Sequence, residues 1–272
     1  MSRPETTGHD YCRADVVAAL RAVGVRPGDV VFSHTGIAML GRPAEGLSKE
    51  AVFALFLAAF QEALGPDGTW ILPAFTYSYA RGEVFDPEAS IPRSMGLLPE
   101  LLCRTPGAVR SLDPIFSVVA LGGRAAELAG DVSADCFGDD SIWGRLYACD
   151  AAICNIGIGS HATFIHHVEQ RLGVPYRFPK TFRGTTIVAG VPRETEVVYN
   201  VRPLDDPRCA PYFMRLDRDG RLDGSVRAVP VGRGEINLVR ARRMAELIHA
   251  GLEQDPEYLV MGDLAARSPQ LR

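Results

Sequence analysis

The stretch Ala151-Ala152-Ile153-Cys154-Asn155-Ile156-Gly157-Ile158-Gly159-Ser160-His161-Ala162-Thr163-Phe164-Ile165-His166-His167-Val168-Glu169-Gln170 decides the reading of this chain. It opens as a short apolar run, Ala151 to Ile158, of the kind that forms a buried strand. A turn follows at Gly159-Ser160-His161, and Ala162 to Gln170 then reads as a helix. On a helix, residues three apart share a face, so the imidazole of His166 and the carboxylate of Glu169 lie side by side. A neutral imidazole held by a carboxylate removes protons near pH 7. The stretch therefore predicts an α/β fold and an enzyme that activates an amine, a hydroxyl or water. His167 is turned about 100° from His166 on the same helix, which suits a structural or substrate-side role.

The same alternation extends outward. Asp10 to Val23 repeats at helical period, and Arg26-Pro27-Gly28-Asp29 turns the chain into a strand at Val30 to His34. A polar loop, Thr35 to Gly46, leads to an N-cap at Ser48 and a helix running through Ala51 to Leu64. Gly65-Pro66-Asp67-Gly68 precedes a strand at Thr69 to Pro73. Met95 to Arg104 reads as a helix, as does Ser141 to Tyr147, with a strand at Ser117 to Leu121 between them. Strand-like runs follow at Thr185 to Val188 and Glu196 to Val201, and Leu238 to Gly251 reads as an amphipathic helix. Strands alternate with helices and then cluster, which predicts one α/β domain over residues 1–272 with a mixed central sheet. Its ordered core would run from about residue 10 to about 260, with Met261 to Arg272 a loose tail.

At 272 residues the chain is long enough for a sizeable core, and 47% hydrophobic content supplies one. No apolar run approaches the roughly 20 residues of a membrane helix. Met1-Ser2-Arg3-Pro4-Glu5 lacks the apolar stretch of a secretory signal. A formal net charge of −4 points away from a nucleic-acid binder. Cys12, Cys103, Cys136, Cys149, Cys154 and Cys209 are scattered without metal-finger spacing, so reduced thiols in a cytoplasmic protein are expected. Neither a phosphate-binding loop nor a dinucleotide fingerprint is present, and Gly157-Ile158-Gly159 reads as a tight turn against the active site.

Several segments, taken together, resemble the aminoglycoside 3-N-acetyltransferase family. They are Val31-Phe32-Ser33-His34-Thr35-Gly36 with Leu40-Gly41, Gly65 to Thr69 running into Leu72 to Thr76, and Phe85-Asp86-Pro87 with Pro92 to Glu100. Pro106 to Ser111, Pro114 with Ser117, Gly138 with Ser141, Leu146-Tyr147, Gly157 to Gly159 and Thr163 to His166 complete the set. The likeness spans roughly Val30 to Pro203. It implies an α/β/α sandwich that transfers acetyl from acetyl-coenzyme A to a primary amine of an amino sugar or aminoglycoside-like molecule. It further implies His166 as general base, supported by Glu169. Coenzyme A would lie along His34, Thr35, Gly36, Leu40 and Gly41, with Ser117 at the thioester end. No metal is expected. The chain departs from the family pattern at Asp113, where histidine is usual, and at Thr35-Gly36, where two serines are usual.

Loops as long as Thr76 to Arg93 are usually functional, and this one carries Tyr77, Tyr79, Arg81, Glu83, Asp86 and Arg93, a mix suited to a substrate wall. Tyr77, Asp86, Asp113, Asp205 and Asp206 are the candidate substrate residues. A polycationic acceptor calls for an acidic pocket, which Glu83, Asp86, Asp113, Asp205 and Asp206 would supply. A biosynthetic, nucleotide-linked amino sugar would instead use basic residues among Arg177, Lys180 and Arg183, and the departures favour that side. A metal-dependent hydrolase drawing ligands from His34, His161, His166, His167 and Glu169 is a further alternative, although the spacing matches no zinc-hydrolase motif. A ligand-binding relative without activity has little use for the His166/Glu169 pair. A monomer or homodimer with a small-molecule amine as its only partner is expected, with no membrane and no nucleic acid.

Overall fold

A computed structural model describes residues 8–130 and 133–267. Its centre is three short parallel strands, β1 (Val30–Phe32), β2 (Thr69–Pro73) and β5 (Ala152–Ile156), with β1 between the other two. Every residue of the three is buried, as expected for strands covered on both faces. Antiparallel strands extend the sheet on both flanks. On one side lie β4 (Val118–Gly122) and β3 (Val109–Arg110), and on the other β9 (Gly234–Arg240) and β8 (Arg227–Val231). The seven-stranded order is β3-β4-β2-β1-β5-β9-β8.

Side chains alternate across the sheet and build two cores. Val30, Phe32, Ile71, Val118 and Ile153 face one core, which α4 (Ala125–Ala129), α5 (Ile142–Ala148), α6 (Ile165–Leu172) and α8 (Ala241–Gln254) cover. Val31, Trp70, Leu72, Val119 and Cys154 face the other, under α1 (Arg13–Val23), α2 (Lys49–Leu64) and α3 (Leu97–Leu102). Phe60 of α2 stacks on Trp70 at 4.1 Å between ring centroids. Each such fully buried large side chain stabilises the fold by roughly 1.5–3 kcal/mol. The expected α/β/α sandwich with a mixed sheet is the one observed. Ser48 caps α2 as the sequence predicts, its Oγ accepting from Ala51 N at 3.1 Å.

Other expectations need correction. Leu238 to Arg240 are the end of β9, and the C-terminal helix starts only at Ala241. The runs at Thr185 to Val188 and Glu196 to Val201 are parts of a longer hairpin, β6 (Phe178–Val188) with β7 (Val191–Val201), separate from the main sheet. The helix α7 (Met214–Leu222) precedes β8. The C-terminal segment is not wholly loose: Met261 is buried and its N–H donates to Ala210 O at 2.9 Å. A 3-10 turn follows at Gly262–Arg267, while 268–272, like Met1 to Glu5, lie outside the described residues.

The chain leaves β1 for α2 on one face of the sheet and leaves β5 for α6 on the other. Adjacent parallel strands whose connections diverge in this way open a crevice at their carboxyl ends, the usual place for a ligand in such sheets. Here the two loops touch. Gly36 N donates to Ile156 O at 2.7 Å, and Gly157, at φ +68°, stands so close that a Cβ there would collide with the Gly36 carbonyl oxygen. Buried Asn155 fastens the crossing: its Oδ1 accepts from His34 N at 3.1 Å, and its Nδ2 donates to Gly159 O and His161 O, each at 2.8 Å. Its cross-strand neighbour Asn237 holds Ile158 O at 2.6 Å.

Candidate active site

The helix α6 enters this crevice at its N-terminal end. Thr163 N donates to His34 Nε2 at 3.2 Å, so that ring nitrogen carries a lone pair and His34 is neutral. Burial, reinforced by the neighbouring His161 and His166, pushes His34 down to about 3. One turn along, His166 Nδ1 lies 2.6 Å from Glu169 Oε2. An ionised carboxylate only accepts, so the proton sits on Nδ1 and Nε2 keeps the lone pair a base requires. Burial lowers the His166 imidazole below its ordinary value, outweighing the pull of Glu169. The ring is thus neutral at physiological pH. Its side chain is 21% exposed, whereas Glu169 is fully buried.

A buried carboxylate needs partners to remain ionised. Gly173, at φ +63°, ends α6 and turns the chain back, returning Tyr176 and Arg177 to the helix they have just left. Tyr176 OH donates to Glu169 Oε1 at 3.0 Å, and Arg177 Nε lies 2.7 Å from Oε2. Burial alone would raise the Glu169 carboxyl, but His166, Arg177 and Tyr176 together hold it below the usual range. His167 points away as expected, fully buried with Nδ1 2.7 Å from Phe137 O.

His166 lies in the wall of a cleft of about 1070 Å³. One face of the β6–β7 hairpin forms one wall of the cleft. The register pairs Phe178 with Val201, Lys180 with Tyr199 and Phe182 with Val197, and five of these six line the cleft. Tyr77, Phe116, Arg177, Arg202, Leu204 and Asp205 close its rim. Arg183 lies on the opposite face of the hairpin, paired with Glu196 at 2.6 Å, and so leaves the basic group the sequence suggested. A second concavity, lined by Phe60, Leu64 and Trp70 among others, holds no ionisable side chain and is unsuited to proton transfer.

Of the candidate substrate residues, Tyr77 and Asp205 line this cleft. Tyr77 is held at φ +56°, a conformation that costs a non-glycine residue about 1–3 kcal/mol and is often found at functional sites. The acidic pocket does not form. Asp113 is buried, its Oδ1 accepting from Ile115 N at 2.9 Å and Phe116 N at 2.8 Å; burial raises its carboxyl. Asp86 closes a turn through Glu88 N, Asp206 caps another through Arg208 N, and Glu83 pairs with Arg81 at the surface. Short acids here complete their own loops rather than face a ligand.

The coenzyme positions divide likewise. His34, Thr35 and Gly36 lie at the crevice, and the Thr35 hydroxyl makes no side-chain hydrogen bond among the described residues. Leu40 is fully buried in the second core, and Gly41 packs against Asp10. Ser117 is buried, with Oγ donating to Ala74 O at 2.6 Å. No three His, Cys, Asp or Glu side chains converge on a metal-sized site among the described residues.

A model of the family described as aminoglycoside 3-N-acetyltransferase matches residues 34–253, which include His34, His166, Glu169 and the whole hairpin. The chain belongs to the aminoglycoside 3-N-acetyltransferase family. Aminoglycoside N(3)-acetyltransferase VIII of Streptomyces fradiae is 30% identical, over 92% of this chain and 93% of that protein. Aminoglycoside N(3)-acetyltransferase IV of a Salmonella species is 27% identical, over 91% of this chain and 90% of the relative. The acetyltransferase AAC-IIIb in binary complex with CoASH superposes with a TM-score of 0.76 at 25% identity, over 89% of this chain and 96% of that one. Sisomicin-bound AAC-VIa, at 23% identity and a TM-score of 0.77 over 90% of this chain and 98% of that one, shares the fold. This is an acyltransferase family, and the sequence resemblance is borne out at that level. Sequence reasoning missed Tyr176 and the role of Arg177 as Glu169 partners, and the aromatic cleft residues Phe116, Phe182 and Tyr199. Alternation along Phe178, Lys180 and Phe182 was the one available signal for the last group. Among the described residues no helix is long and apolar enough to cross a membrane.

Proposed function

We propose that this chain, acting as one unit, transfers acetyl from acetyl-coenzyme A to a primary amine of an amino sugar or related small molecule, with His166 as general base. The observation that carries this reading is a neutral imidazole in a cleft wall, its Nδ1 fixed by a buried, ionised carboxylate. An ammonium has no lone pair. His166 Nε2 takes its proton, and the freed amine attacks the thioester carbonyl carbon. Collapse of the tetrahedral intermediate breaks the carbon–sulfur bond and expels the coenzyme thiolate, which His166 reprotonates, while the second proton of the attacking nitrogen passes to solvent to leave the neutral amide. Glu169 stabilises the imidazolium formed between these steps, at a site preorganised by Tyr176 and Arg177. The coenzyme arm is assigned to the loop after β1, where the Thr35 hydroxyl is available to it. Release of free thiol from acetyl-coenzyme A, measured with a panel of amines, tests the proposal. Wild-type protein should release thiol and His166→Ala should not; silence with every amine in the wild type refutes it.

A further inference from the structure

Resting on that reading, we infer that the acceptor is an amine that also carries an anionic group, a phosphate or carboxylate, held by Lys180 and Arg202. The hairpin register turns Lys180 into the cleft beside Tyr199, with its Nζ 5.1 Å from the centroid of the Phe182 ring. Arg202 leaves the same hairpin at the end of β7, and its only side-chain hydrogen bond among the described residues is a 3.4 Å contact to Pro203 O. Neither has a carboxylate within ion-pair distance among the described residues, while the third cleft cation, Arg177, is taken by Glu169. Among the described residues Asp205 is the only acid that lines the cleft with these cations. A polycation would meet two unmatched positive charges and one carboxylate there. A molecule with one ammonium and one anion gives both signs of wall charge an opposite partner. Guanidinium and ammonium groups on an aromatic wall are suited to oxyanions of phosphate or carboxylate.

The test is calorimetric binding to the wild-type protein of glucosamine, glucosamine 6-phosphate, muramic acid and sisomicin. At least one of the two anionic amines is expected to bind roughly tenfold more tightly than glucosamine, as charge-assisted contacts would give. Which one does so tells phosphate from carboxylate. The gap should shrink with added salt and vanish in the Lys180→Ala/Arg202→Ala protein. Both side chains stand in the cleft wall outside the cores, so that variant should fold, and its circular dichroism checks this. Tighter binding of sisomicin than of both anionic amines overturns the inference, as does an unchanged gap in the double variant. Weakened coenzyme A binding there with the amine gap intact overturns it too, because the cations would then belong to the coenzyme. The expected order of affinities without thiol release supports the acceptor class while refuting the transfer chemistry, so the two failures are separable.

Discussion

The 2.6 Å contact between His166 Nδ1 and Glu169 Oε2 joins a partly exposed imidazole to a fully buried carboxylate that two further side chains hold in place. The two halves of this pair should fail differently. His166→Ala removes the proposed base and should lower kcat by about 10² to 10⁴ with little change in unfolding free energy. Glu169→Ala leaves the Arg177 guanidinium buried without its partner and should cost about 3–5 kcal/mol of stability as well as activity. Steady-state kinetics and urea unfolding on both variants check this. Equal stability losses would show that the carboxylate is not the structural anchor of the site.

The direction of the His166 shift sets the acid limb of the pH profile. Burial places its folded value below the ordinary 6.5, and only the neutral ring accepts a proton. The value of kcat/KM should therefore be flat through pH 7 and fall only below about 6.5 as the ring becomes protonated. Glu169 raises the imidazole against burial, so Glu169→Gln should move that limb to lower pH while lowering the plateau. A limb that stays in place in the variant would mean that another group sets it.

The legible parts of this molecule are those whose determinants lie close in sequence. Val30–Phe32, Thr69–Pro73 and Ala152–Ile156 are short apolar runs because both faces are covered, and each reads as a strand without its neighbours. His166 and Glu169 pair three residues apart on one helix. Tyr176 and Arg177 reach Glu169 only after the turn at Gly173, and no periodicity crosses a turn. The β6–β7 hairpin has polar exposed stretches on both strands, so only its more apolar portions resembled strands. At Leu238 to Gly251, strand passes into helix at Arg240 with no intervening loop, and the two patterns fused into one. Spacing also cannot tell an acid that binds a ligand from one that closes its own turn, as Asp113 does through Phe116 N.

His34 makes stability depend on pH with a definite sign. Its folded value of about 3 lies under the ordinary 6.5 that applies when the chain is unfolded, so on acidification the unfolded state takes up the proton first. The contribution is complete above about pH 6.5 and is lost at about 1.4 kcal/mol per pH unit as pH falls towards 3. His34→Gln keeps an acceptor for Thr163 N and does not titrate. Its stability should fall less steeply than that of the wild type between pH 7 and pH 4.5 in urea titrations. Parallel slopes would mean that His34 is protonated in the folded protein.

Gly36 and Gly157 face each other where the loops after β1 and β5 cross, and alanine should be tolerated differently at the two. A Cβ on Gly36 meets the branch methyl of Ile158, Cγ2, at 2.7 Å. A Cβ on Gly157 meets the Gly36 carbonyl oxygen, and φ of +68° adds strain of about 1–3 kcal/mol. Gly36→Ala should therefore be rescued by Ile158→Ala, which clears the space. Gly157→Ala should not be rescued by Ile158→Ala, because a backbone atom cannot be trimmed. Displacing this crossing shifts the Asn155 bonds to Gly159 and His161, and with them the start of α6 that carries His166. The Gly157 variant should accordingly lose kcat together with thermal stability. Rescue of both variants by the same truncation would show that the two loops are free to separate.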